Sequence, residues 1–316
     1  MTTAALSLGC DTNSYADLTP EERTGSGSAD CGRWRCGFNA AQVNGRSLHS
    51  LNLQGVANAA GIKVVGFTPP PGQVPTGFTL TVEGDDFVAR RGGTTLRRAG
   101  LVGSKLWVQV ELGLVVPVSF AGFEAVASWA ADAEPIAAYT LLFPAVDELL
   151  GVKNVCSGSL TDPLASAVTV LGGETYDDAS KMVRADQAGW FTLACAGSAA
   201  AKMKLMGYAP QTEFDGSGAP STVAQRQATL KMITADYCGT GQSYTQTGTP
   251  VVWQNQAGSV DSSNWHVPGA VEAVWDEHGA RCLGATRITG TQVGCVLPSC
   301  AGYSLDDGEW QTRVAP

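Results

Sequence analysis

The chain has 316 residues, of which 44% are hydrophobic and only 16% charged, with a formal net charge of −9. That is enough apolar material for one large core or two domains. The acidic balance argues against a nucleic-acid partner, since phosphate binding needs a basic face, and no apolar run approaches the roughly twenty residues of a spanning helix.

Residues 1–10 read as export and anchor sequence. Ala4 to Gly9 is small and apolar, and Ser7-Leu8-Gly9-Cys10 fits a loose bacterial lipobox, which makes Cys10 the candidate lipidation site. A full signal peptide needs a basic leading region and a longer apolar stretch. The residues before Cys10 contain no Lys or Arg, so the expectation is a start placed too late. Residues 11–30 are polar and rich in Ser, Thr, Gly and acids, as a tether between lipid and folded body would be. Asp11, Asn13, Asp17 and Glu22 fall on calcium-loop positions, but Ala16 stands where such a loop requires glycine.

Residues 31–148 predict an antiparallel, mainly β domain. Residues 61–67 read as a strand ending at Pro69-Pro70-Pro71, which cannot donate to a ladder. Residues 78–83 and 87–90 alternate around a Gly84-Asp85-Asp86 turn and predict a hairpin. Further strands are expected at 106–112, 115–120 and 139–143. Arg90-Arg91 and Arg97-Arg98 flank a Gly-rich turn and read as a solvated hairpin. Residues 149–300 predict a smaller α+β domain. A helix over 198–205 stops at Gly207, and a second over 222–235 has Ser221 or Thr222 as N-cap and an apolar stripe at Leu230 and Ile233. Strand-like pieces lie at 190–193, 243–245, 251–253 and 270–275. Residues 301–316 read as an exposed tail on which Trp310 can dock.

After Cys10, the remaining eight cysteines are an even set, as expected of up to four disulfides in an exported protein. Eight thiols allow 105 connectivities. The expected set is Cys31–Cys36, Cys156–Cys195, Cys238–Cys282 and Cys295–Cys300. The rival use of the two C-x4-C pairs is a zinc site. Zinc pairs are more often C-x2-C and these lie at opposite ends of the chain, so no metal and no cofactor is expected.

Catalytic constellations are sparse. His49, His266 and His278 are the only histidines, and none sits in a metalloprotease helix. There is no nucleophile elbow, P-loop or dinucleotide fingerprint. A hydrolase would have to use His278 with Asp276 or Glu277 and a serine such as Ser243; the alternative is that residues 275–279 form a polar turn between two strands. The acidic doublets at 85–86, 177–178 and 306–307 read as turn residues. Trp253, Trp265 and Trp275 lie near Asn255, Gln256, Asn264 and His266. Tryptophan beside amides suits a carbohydrate face, with Trp265 and Trp253 as candidate ligand contacts, although such tryptophans are more often core.

The stretch Lys231-Met232-Ile233-Thr234-Ala235-Asp236-Tyr237-Cys238-Gly239 resembles the ADYC domain, a bacterial family named for that tetrapeptide and found largely in predicted lipoproteins of myxobacteria and their relatives. Trp190-Phe191-Thr192-Leu193-Ala194-Cys195 resembles a further block of that family. It is followed by the small-residue helix with Gly207-Tyr208, then Gly248-Thr249-Pro250, Glu272-Ala273-Val274-Trp275 and Gly279-Ala280-Arg281-Cys282, in the family's order. The likeness covers roughly residues 150–300. Relatives often carry cysteines at the positions of Met203 and Thr229, and their joint absence here is what a disulfide between them would leave.

The resemblance implies location and domain boundaries and carries no activity. Within the motif, Cys238 reads as a staple and Tyr237 as a packed ring with a satisfied hydroxyl. Asp236 closes a helix, where a negative charge opposes the macrodipole, so a compensating partner is expected: a backbone donor, Arg281 or Arg184. A ligand-binding or catalytic Asp236 is the alternative. Together these readings describe an exported, lipid-anchored cell-surface protein with a non-catalytic binding or envelope-structural role. Its partners would be the membrane, through the anchor, and a glycan or envelope polymer, with no nucleic acid. The other expectation is an extracellular hydrolase around His278.

Overall fold

A computed structural model describes Trp34 and residues 40–110, 113–144, 151–156, 166–214, 219–262 and 269–314. Cys10, Cys31, Cys36 and Trp265 lie outside the described residues, and with them the anchor site, the Cys31–Cys36 pairing and one candidate stacking residue.

The first half forms strands β1 (Gln42–Val43), β2 (Arg46–Ser47), β3 (Ser50–Asn52), β4 (Lys63–Thr68), β5 (Thr79–Glu83), β6 (Asp86–Arg91), β7 (Thr94–Arg97), β8 (Lys105–Gln109), β9 (Val115–Val126) and β10 (Ile136–Pro144). The second half supplies β11 (Val152–Asn154), β12 (Val168–Gly172), β13 (Thr175–Asp177), β14 (Met182–Arg184) and β15 (Trp190–Cys195). It continues with helix α1 (Ala199–Leu205), helix α2 (Val223–Thr234), β16 (Val251–Asn255), β17 (Val271–Asp276), β18 (Gly279–Leu283) and β19 (Trp310–Val314). The fold is α+β and mainly β, with antiparallel pairing throughout the described sheets.

The main sheet has eight strands, ordered β3-β15-β12-β10-β9-β8-β4 with β11 also on β10. Its ends approach each other, β3 lying close to β4, and Asn58 ties the connection by donating to the Ser47 and Ser50 carbonyls. Bulges at Val64/Gly66 and Thr140/Leu141 supply the bending that curls the sheet. The meander β5-β6-β7 brings Phe87 into the enclosed core. Its ring meets Phe120, Tyr139 and Phe191 edge-on at 5.4, 5.7 and 5.5 Å, the arrangement aromatic quadrupoles favour.

The division placed between residues 148 and 149 falls inside this sheet. β12 pairs with β10, and β15 with β12, and each carries apolar residues on both faces. Val168, Val170 and Leu193 belong to the enclosed core, whereas Leu171 and Ala194 belong to a second core on the other side. A strand apolar on both faces must be covered on both.

Helix α1 provides that cover, α2 packs on α1, and the four-stranded sheet β16-β19-β17-β18 packs against α2 in turn. The expected stripe at Leu230 and Ile233 is therefore too narrow: every residue from Arg226 to Thr234 is buried. Thr222 and Gln225 form a capping box at its start. The supposed tail is likewise corrected. β19 lies between β16 and β17, and Trp310 is fully buried with its indole N–H on Thr229 Oγ1 at 2.8 Å. Burying a tryptophan removes some 150–250 Å² from water, about 4–6 kcal/mol at about 25 cal/mol per Å², so these residues belong to the core. Ser243, Tyr244 and Thr245 lie in a loop instead of a strand.

Three disulfides are present among the described cysteines. Cys156–Cys195 is as expected. The other two exchange the expected partners: Cys238 pairs with Cys295 and Cys282 with Cys300. Proximity in sequence misled here, because Cys238 follows the end of α2 and Cys282 sits in β18, and the segment 295–300 passes across both.

Candidate functional site

The tetrapeptide 235–238 forms the corner at which α2 ends. Ala235 adopts a left-handed conformation with φ 49° and is fully buried, so a small side chain is needed there. Asp236 turns back onto its own helix. Its Oδ2 accepts from Lys231 Nζ at 2.7 Å and from the Gly241 amide at 2.8 Å. The expected arginines are engaged elsewhere, Arg281 with Asp276 and Arg184 with Asp177.

Tyr237 donates to Glu272 Oε1 at 2.7 Å and accepts from the Arg287 amide at 3.0 Å. Burial beside the Glu272 carboxylate raises the phenol above its ordinary range. The Arg287 guanidinium binds Glu272 and also the carbonyls of Met232 and Ile233, a cation at the negative end of the helix dipole. Gly239 completes the corner at φ 69°, and a Cβ there would lie 1.9 Å from the His278 carbonyl oxygen. Asp236 and Lys231 are at most 1% exposed, so the pair is enclosed by the fold and held by its own hydrogen bonds.

His278 occupies the tip of the β17–β18 hairpin with its side chain 85% exposed. Asp276 is spent on the turn, accepting from the His278 amide and from Arg281. This is the polar turn between strands, and Asp276 does not orient the imidazole. Ser243 is buried in a loop. Trp275 is wholly core, stacked on Tyr237 at 5.2 Å. Trp253 is half-buried against Trp129, 6.2 Å between rings. Asn255 is buried and directed at Tyr208, Ser259 and Val260, so it holds a loop and presents no amide to a ligand. Met203 and Thr229 lie on α1 and α2, which pack together.

A different place offers a ligand site. Where β3 borders the hairpin β13–β14, an open cleft of about 470 Å³ is lined by His49, Tyr176, Asp177, Asp178, Arg184, Gln187 and Trp190, among others. Its volume lies within the roughly 300–1,000 Å³ of small-molecule sites. The walls are fixed from behind. Glu174 accepts from Arg226 Nε at 2.9 and 3.0 Å and from the Tyr176 hydroxyl at 3.0 Å, tying the hairpin to α2. Desolvation raises both the Glu174 carboxyl and the Tyr176 phenol.

Asp177 accepts from the Ala179 and Ser180 amides and from Arg184. Hydrogen bonding from Ser180, followed by that from Arg184, holds its carboxyl down at about 2. The Asp178 side chain is 74% exposed, and its Oδ1 stands 4.0 Å from His49 Nε2. His49 packs edge-on to Tyr176 at 6.4 Å, and its Nε2 has no hydrogen-bond partner. An indole wall beside carboxylate, guanidinium and amide groups is equipped to hold a polar ligand with an apolar face. Little in the sequence points to this cleft, because its residues come from separate segments of the chain. The Asp177-Asp178 doublet was the one visible cue.

No group of three or more His, Cys, Asp or Glu side chains among the described residues could hold a metal ion, and no helix among them is long and apolar enough to cross a membrane. Cys295 and Cys300, expected as a zinc pair on the rival reading, are both in disulfides. No curated protein and no solved structure matches the chain. The model of the ADYC domain matches residues 98–289, beginning well before the segment that carries the sequence motifs and taking in β8, β9 and β10 of the curled sheet. The match covers more than half of the chain, and the protein therefore belongs to the ADYC domain family.

Proposed function

We propose that this is an extracytoplasmic binding protein of the cell envelope, held at a membrane through a lipid on Cys10, and that the cleft between His49 and Trp190 takes a saccharide unit of an envelope glycan. Location is supported by the three disulfides, which persist in oxidising compartments. The observation that carries the binding reading is the cleft itself. One wall is an indole, the polar groups of the Asp177–Arg184 hairpin are locked by their own hydrogen bonds, and Asp178 remains free for ligand hydroxyls. Such preorganisation lowers the ordering cost of binding.

The test is calorimetric titration with soluble peptidoglycan fragments and lipopolysaccharide oligosaccharides. Asp178→Ala and Trp190→Ala should each weaken binding at least tenfold, and Asp178→Ala should leave thermal stability unchanged because its carboxylate is exposed. Binding that survives both variants and falls on Trp265→Ala would move the site to the last third of the chain. Covalent labelling of the pure protein by a serine-directed probe would overturn the non-catalytic reading.

A further inference from the structure

One residue of the cleft wall carries a buried polar atom without a partner. His49 lies just before β3, and its backbone is fixed on both sides. Its amide donates to Ser47 Oγ at 3.2 Å, and its carbonyl accepts from the Leu193 amide at 2.8 Å. The side chain is 13% exposed, and Nε2 is shielded from water and makes no hydrogen bond. Buried side-chain nitrogens are nearly always paired, so one that is not calls for a physical reason. A nearby carboxylate supplies it. Asp178 Oδ1 stands 4.0 Å from Nε2, beyond the reach of a hydrogen bond. While the imidazole is neutral, little draws the two together. Once protonated, Nε2 carries a hydrogen and a share of positive charge in a place where it has no other partner. The Asp178 side chain is 74% exposed, and exposed side chains reorient readily. A small turn closes the gap to a charge-assisted hydrogen bond.

Besides His49, the lining residues that titrate or carry charge are Tyr176, Asp177, Asp178 and Arg184. Tyr176 meets the imidazole edge-on and donates its hydroxyl to Glu174. Glu174 is in turn held by Arg226. Asp177 and Arg184 are paired with each other, and the Lys181 ammonium donates to the Asp178 carbonyl. The Asp178 carboxylate is thus the group of the cleft that both a ligand hydroxyl and a protonated His49 can claim. We propose, on the saccharide reading of the cleft, that His49 is a proton switch that withdraws Asp178 from the ligand on acidification. With the imidazole neutral, the carboxylate accepts from ligand hydroxyls. With a proton taken up from solvent on Nε2, the imidazolium holds the carboxylate and the saccharide must displace it. Histidine ordinarily changes charge between about pH 5 and 8, so the glycan is held at neutral pH and released under mild acid.

The test titrates the full-length oxidised protein calorimetrically with soluble peptidoglycan fragments at about pH 8 and about pH 5. Native affinity should fall roughly tenfold at the lower pH, the worth of one charge-assisted hydrogen bond. His49→Gln cannot take up the proton and should bind alike at both, with thermal melts to verify its fold. Imidazole NMR of the ligand-free protein tests the pair without any saccharide. In Asp178→Asn, altered at an exposed side chain, His49 should lose its proton at lower pH than in the native protein. The switch is overturned if native affinity is equal at both pH values, or if the pH dependence persists in His49→Gln. It is also overturned if Asp178→Asn leaves the His49 titration unmoved, the arm that decides should His49→Gln fail to fold. Binding absent at both pH values, with the NMR difference present, would count against the saccharide reading while the His49–Asp178 pair stands.

Discussion

Replacing Lys231 by methionine tests whether the motif aspartate is structural. Lys231 Nζ gives its donors to Asp236 Oδ2 at 2.7 Å and to the Ser180 and Gly239 carbonyls at 3.2 and 3.3 Å. The lysine and aspartate side chains are 1% and 0% exposed. Without the ammonium, Asp236 keeps only the Gly241 amide, and a buried carboxylate stranded in this way costs about 3–5 kcal/mol. Asp236→Asn strands the ammonium instead and should cost a similar amount. The double variant Lys231→Met/Asp236→Asn buries no net charge and keeps an acceptor for Gly241, so its loss should be smaller than that of either single variant. Urea unfolding with disulfides intact, followed by tryptophan fluorescence, reads these differences as midpoint shifts at constant m. Single losses below about 1 kcal/mol, or a double variant that sums its singles, would refute the buried-pair account.

Gly239→Ala should prevent accumulation of oxidised, folded protein, because the added carbon meets backbone 1.9 Å away at a positive φ; secretion yield and far-ultraviolet circular dichroism report it. Loop-closure entropy predicts a loss of roughly 4 kcal/mol on removing Cys238–Cys295 and roughly 3 kcal/mol on removing Cys282–Cys300, from separations of 57 and 18 residues. Denaturation of the paired Cys→Ser variants measures that order. His278→Ala should change stability by less than about 0.5 kcal/mol, as exposed turn substitutions do. Asp177 has a folded pKa of about 2 against 3.8 for the ordinary group. Its contribution to stability is therefore complete above pH 3.8 and lost as pH falls through 2. Carboxyl-carbon NMR should show that midpoint, with Arg184→Gln raising it.

Much of the secondary structure was legible because it is written locally. The Gly84-Asp85 turn, the alternation of 79–83 against 86–91, the Thr222 cap and the stop at Gly207 all lie within a few residues of what they control. The Asp85-Asp86 doublet shows the limit of such reading. It does make a turn, but that turn is buried, with Asp85 accepting from the Gly172 and Gln211 amides and Lys204 donating to its carbonyl. Burial pushes the Lys204 ammonium down to about 8 and the Asp85 carboxyl up. Neither the lysine nor the amides are near it in sequence.

The sequence by itself determined both helices, the longer strands such as β4, β5, β8, β9, β10 and β17, and the oxidised character of the protein, since these follow from period, capping chemistry and cysteine count. Tertiary structure alone decided that one sheet spans both halves, that β19 is interior, which cysteines pair, and where the cleft opens. Each of those depends on which apolar faces meet. Strands covered on both sides, such as β12 and β15, announce that they must be buried but not what will bury them.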